Sequence, residues 1–126
     1  MDTLDEIKKI LTEILDIEGQ EITPETYLVR ELGTESIDLL ELAVAINAHF
    51  HIEVKDDEIF VKALRLHLQK AKDEGFDPAK YLAESYPALT TARIEEILAD
   101  IEGGPVLKVK DVQSYIEWQT KNKDND

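Results

Sequence analysis

Apolar residues recur every three or four positions along most of this chain, the period of helices with one buried face. Leu4, Ile7, Leu11, Ile14 and Ile17 keep that spacing, with Ile10 and Leu15 broadening the stripe. The pattern predicts a first helix over about 4–17, with Thr3 and Glu6 as a capping box and Gly19 as the stop. A second helix is predicted over 36–50. Its expected buried face is Ile37, Leu40, Val44 and Ala48, widened by Leu42, Ala45 and Ile46. The long connection over 18–35 contains Tyr27, Leu28, Val29 and Leu32, which should pin it to the core rather than leave it free.

Beyond Phe50, Ile52-Glu53-Val54 alternates too briefly to make a sheet. One further helix is predicted over 56–73, with Phe60, Leu64, Leu68 and Ala71 on one face and Gly75 at its end. Pro78 suits the first position of a short helix to Ser85, and Pro87 breaks the pattern. Thr90 or Thr91 can cap the next helix, where Ile94, Ile97, Leu98 and Ile101 share a face before Gly103-Gly104-Pro105 stops it. A last helix over about 109–119 turns Val109, Val112, Tyr115 and Ile116 inward, with Trp118 as packing. The expectation is an all-α fold. It forms a single domain over 1–120, followed by a disordered tail over 121–126.

The chain has 126 residues and a net charge of −14, with 43% hydrophobic residues. That apolar content separates it from disordered acidic tails. The charge disfavours nucleic acid and bare anionic membranes, and it favours partners with basic patches. No apolar run approaches the length of a membrane span. The N-terminus is acidic where a signal peptide would be basic, so a cytoplasmic location is expected. There is no cysteine, so disulfides, thiolate metal sites and a native catalytic thiol are excluded. Any thioester chemistry would need an imported thiol.

The chemistry concentrates in Leu32-Gly33-Thr34-Glu35-Ser36-Ile37-Asp38-Leu39-Leu40-Glu41-Leu42. Ser36 stands where a glycine-containing loop becomes a helix. A phosphate attached there would face the free N–H groups of the helix start. No neighbouring residue looks able to activate the hydroxyl, so the economical reading is a serine that another enzyme modifies. Asp38 and Glu41 suit the positive end of the helix dipole. His49 and His51 do not share a helix face and lie at the far end, where histidine is favoured without any metal. His67 is read as partly buried structure. Lys62, Arg65, Lys70 and Lys72 form a basic cluster in an otherwise acidic chain.

Residues 32–57 resemble the acyl carrier protein family. They present Leu-Gly-x-acid-Ser-Ile-Asp, an acidic amphipathic helix ending at Phe50, and a Val54-x-Asp56-Asp57 turn. The likeness extends over about 1–58 and, through Val109 to Ile116, over 106–119. It implies a helical bundle with a long loop between its first two helices. It also implies that a phosphopantetheinyl transferase attaches 4'-phosphopantetheine covalently to Ser36, so that acyl groups ride as thioesters. By the same resemblance the protein is not an enzyme, and acts as a monomer. Acyl-transfer or synthase enzymes with basic patches would dock on Glu35, Asp38, Glu41 and Val44. Leu28, Leu40, Val44, Ile46 and Val54 would shelter acyl chains in the interior.

The chain also departs from that pattern. Glu35 stands where aspartate is usual, and Asn47 and Ala48 replace acids of the docking face. About 58–104 forms a helical insert in place of one short helix. The expected pathway is a specialised fatty-acid, lipid or polyketide-type one. The insert could enlarge the core, shape the acyl cavity, or use its basic cluster toward a partner. A helical interaction module with the carrier fold but no cargo is the competing reading, and Ser36 argues against it. A small hydrolase or metalloenzyme finds no nucleophile–base pair.

Overall fold

The computed structural model of the chain describes residues 2–124. It contains seven α-helices in that range: α1 (Thr3–Leu15), α2 (Ser36–Phe50), α3 (Asp56–Phe60), α4 (Leu64–Glu74), α5 (Pro78–Ser85), α6 (Thr91–Asp100) and α7 (Val109–Asp124). A 3₁₀ turn at Ile101–Gly103 extends α6. Helix α1 packs on α2 and α7, and α3 packs on α7; α4 packs on α5, and α5 on α6. One contiguous buried cluster joins Ile7, Leu11, Leu42 and Ile46 to Leu64, Leu82, Tyr86 and Ile97. The insert therefore shares the core of the bundle. No described helix is long and apolar enough to cross a membrane.

The helix ends show where local signals hold and where they shift. Helix α1 is capped by Asp2, whose carboxylate accepts from the Asp5 N–H at 2.9 Å, one residue before the expected Thr3 cap. It ends at Leu15, because Asp16 takes the left-handed conformation (φ 53°), so Gly19 is not its stop. The caps of α5 and α6 are Asp77 and Thr90, each accepting from the N–H three residues on. Helix α7 runs past the expected end near Gln119 to Asp124. Residues 125–126 of the expected tail lie outside the described residues.

The single helix expected over 56–73 is instead two. Val61 adopts φ 46° between α3 and α4, a conformation that costs a β-branched residue roughly 1–2 kcal/mol. The surroundings hold the break. Val61 is buried, and the Asp57 carboxylate accepts from the Ala63 N–H at 2.7 Å, closing the turn. The same carboxylate accepts from the Tyr86 hydroxyl at 2.8 Å and contacts His67 Nε2 at 3.2 Å. Burial would raise the Asp57 pKa, but these three contacts together hold it below the usual value. Burial and the bond to Asp57 both push the Tyr86 phenol upward.

The connection between α1 and α2 is pinned by backbone pairing to the approach to α7. The Leu28 N–H donates to Leu107 C=O at 3.0 Å, Val109 N–H to Thr26 C=O at 2.9 Å, and Lys110 N–H to Pro24 C=O at 2.9 Å. Arg30 stacks on Tyr27, 4.2 Å from the ring centroid, and donates to Asp100 Oδ1 and to the Asp100 and Gly104 carbonyls. The end of α6 is thereby tied to the loop that precedes Ser36. Farther along, Arg93 forms a two-pronged buried pair with Asp111 at 2.6 and 2.8 Å and also donates to the Val106 carbonyl. Burial would lower the Arg93 pKa, but Asp111 raises it on balance.

Candidate functional site

Ser36 is the first residue of α2, and its side chain is exposed. The approach to it is built by a short turn. Gly33 takes φ 67°, which glycine adopts without strain, and its N–H donates to Val29 C=O at 3.0 Å. Thr34, buried beside it, donates its hydroxyl to the Leu28 carbonyl at 3.0 Å. Leu28 is fully buried and itself bonded to Leu107, so the residues before Ser36 are rooted in the core. The helix then begins with a firm cap. Asp38 Oδ2 accepts from the Glu35 N–H at 2.8 Å, across the first turn. That bond gives Asp38 a structural role beside any partner contact.

The side chains of α2 divide into two faces. Leu42, Ala43 and Ile46 are buried and Leu39 is partly so, which makes the inward face. The outward face holds Ile37, Leu40 and Val44, exposed by 55%, 52% and 62%, together with Glu41 and Ala48. This corrects the expected stripe, and with it two of the expected acyl-pocket residues: Leu40 and Val44 point to solvent. The physical reason is that α2 is apolar almost all the way round. Two stripes compete, and α1 packs on the one through Leu42 and Ile46. Leu28 and Ile46 lie inside the core and Val54 is half-buried. Val44 stands with Glu41 on the outward side, and Glu35 is exposed at the helix start.

Helical periodicity sets Ser36 at the border of the two faces, above Leu39 and Leu40 at i+3 and i+4. Leu39 lines a cavity of about 520 Å³, walled by Val29 and by Val61, Leu64 and Ile101 of the insert. None of the five expected pocket residues lines it. The signal for Leu39 was the second stripe, Leu39, Leu42, Ala43 and Ile46, at i, i+3, i+4 and i+7.

Among the described residues, the Ser36 hydroxyl has no side-chain base within hydrogen-bond reach. His49 Nε2 pairs with Glu6 at 2.8 Å, His67 contacts Asp57, and His51 ends α2 with its N–H on the Asn47 carbonyl. No group of three His, Asp or Glu side chains among the described residues could hold a metal ion. The site therefore fits a covalently attached phosphodiester. It offers an accessible oxygen, a 15-residue helix behind it, and first-turn N–H groups that precede any intrahelical acceptor.

Residues 5–63 match the family model of the phosphopantetheine attachment site. The acyl carrier protein of Helicobacter hepaticus is 34% identical over 58 residues, which cover 46% of this chain and 76% of that protein. The chain belongs to the acyl carrier protein family. The acyl carrier proteins of Nitratidesulfovibrio vulgaris and Wolinella succinogenes are each 36% identical over 58 residues, with the same shares covered. No solved structure matches the chain. Acyl carrier proteins bear 4'-phosphopantetheine covalently and are carriers rather than catalysts. The family match ends at residue 63, next to the break at Val61, so α4–α6 lie beyond it.

Proposed function

We propose that Ser36 is the attachment point of 4'-phosphopantetheine, and that the chain carries acyl intermediates in a specialised fatty-acid, lipid or polyketide-type pathway. The observation that carries this reading is an exposed, unactivated serine at the first residue of α2, within the matched stretch. Once attached, the arm supplies the thiol that this cysteine-free chain lacks. The chain's own residues do the rest. Thr34 and Leu28 hold the turn, Asp38 fixes the helix start, and the N–H groups of α2 face the phosphate.

In the same reading a phosphopantetheinyl transferase and the acyl-handling enzymes dock on the outward face of α2. Glu35, Asp38 and Glu41 would meet basic patches there, and Ile37, Leu40 and Val44 would add apolar contact. Exposed apolar side chains ringed by acids are what a charge-steered interface needs. Action as a cytoplasmic monomer belongs to the same proposal.

The test is intact mass after incubation with coenzyme A and a broad-specificity phosphopantetheinyl transferase. The wild-type chain should gain one phosphopantetheine and Ser36→Ala none. No gain in the wild type, or an undiminished gain in Ser36→Ala, contradicts the reading.

A further inference from the structure

The cavity beside α2 has an unusual lining for this chain. Acids outnumber bases 28 to 14 in the sequence, yet no Asp or Glu lines this space, whereas Lys62 and Arg65 both do. The rest of the wall is mostly apolar, with Leu39, Leu64, Leu66 and Ile101 among it. Leu66 is 70% exposed, far more than a leucine serving only to fill a core.

The two cations stand over lining residues. Lys62 Nζ lies 5.8 Å from the Phe60 ring centroid, and Arg65 donates one bond to the Ile101 carbonyl at 3.0 Å. Phe60 and Ile101 both line the cavity. Arg65 makes no ion pair among the described residues, so most of its five-donor fork has no carboxylate to meet. Among the described residues, the one carboxylate that pairs with Lys62 is the half-exposed Asp56, at 3.4 Å. At about 520 Å³ the space falls in the range of small-molecule sites, roughly 300–1,000 Å³. Leu39 enters it from three residues past Ser36, about 4.5 Å along the helix axis.

We infer that this cavity selects acyl chains that end in a carboxylate. The apolar walls from α2, α4 and Ile101 take the methylenes, and Lys62 and Arg65 take the terminal anion. This deepens the carrier reading and rests on it for the delivery of the chain. An apolar slot alone discriminates poorly between chains of equal length, whereas unpaired donors at its rim discriminate strongly for the group that satisfies them. The insert thereby contributes substrate selection, with Arg65 as a specificity residue that no part of the family match contains.

The test compares the chain bearing the arm alone, an octanoyl arm and an octanedioyl arm, in wild type and in the double variant Lys62→Met, Arg65→Met. Methionine keeps the apolar stem, and both positions are exposed, so folding is not at stake. Hydroxylamine cleavage of the thioester should be about tenfold slower for the octanedioyl than for the octanoyl chain, the size of one charge-assisted contact. The difference should vanish in the double variant.

Equal rates in the wild type, or a difference that survives in the double variant, overturn the inference. So does an arm without cargo that perturbs the Arg65 Nε–H resonance as strongly as the octanedioyl arm, since the arm's phosphate would then be the anion. Loading is read first by mass, and its failure sinks the carrier reading separately. In that event, octanedioic acid monomethyl ester titrated onto the unmodified chain decides the cavity. Larger shifts at Leu64 and Ile101 than methyl octanoate produces sustain the inference, and equal shifts overturn it.

Discussion

Around α2 the chain turns apolar side chains outward: Ile37, Leu40 and Val44 stand more than half exposed among acids. Around α4–α6 it turns polar ones inward. Arg93 and Asp111 are 6% and 2% exposed and bonded to each other, and the Tyr86 hydroxyl is bonded to Asp57. The contrast has a physical logic. A docking face must keep contact area available, and its acids steer partners toward it. An added helical segment has the opposite need. Apolar contact is non-directional and leaves its seat loosely specified. Buried polar pairs are satisfied in only one arrangement, so they fix the seat.

The comparison can be broken most sharply at its two chemical centres. Ser36→Ala should abolish loading with coenzyme A while moving the urea midpoint by less than about 0.5 kcal/mol equivalent, as an exposed position does. Arg93→Ala should be the most destabilising single change. It leaves Asp111 charged and buried, at a cost of about 3–5 kcal/mol by urea unfolding. Loading of the folded fraction should survive it. Tyr86→Phe removes the phenol's donation to Asp57 and should cost about 1 kcal/mol, with faster amide exchange in α5 as the local readout.

Smaller effects sharpen the contrast further. Glu41→Lys should slow loading about threefold at low salt without changing stability, and the deficit should shrink as salt is raised. Acid stability should carry a contribution from Glu25. Hydrogen bonds from Lys108 and then Lys110 lower its pKa from 4.5 to about 2. Because the folded value is depressed, the stabilisation is present above about pH 4.5 and is lost as pH falls toward 2. The group is exposed, so the loss should stay below about 1 kcal/mol. Glu25→Gln should flatten that part of the acid unfolding profile.

What could be read from the chain beforehand follows the same division. The Ser36 helix start, the stop at Phe50, the helix start at Pro78 and the cap at Thr90 are set by neighbouring residues, and they stand where local chemistry puts them. The face that α2 buries was not legible. Ile37, Leu40 and Val44 offer a helical stripe as good as Leu39, Leu42 and Ile46, and the choice belongs to the packing of α1. The break at Val61 was hidden for a related reason. A valine is the wrong residue to announce a left-handed turn, and the turn is closed by Asp57 reaching six residues ahead to Ala63. The cavity lining combines Val29, Leu39, Leu64 and Ile101 from four separate stretches, which no local window brings together.

The most direct measurement is peptide mapping of the protein after reaction with coenzyme A and the transferase. The account predicts the phosphopantetheine mass on the fragment spanning Leu32 to Glu41, with fragment ions assigning it to Ser36. The added mass on any other fragment, or an unmodified Leu32–Glu41 fragment under conditions that load a control carrier, contradicts it.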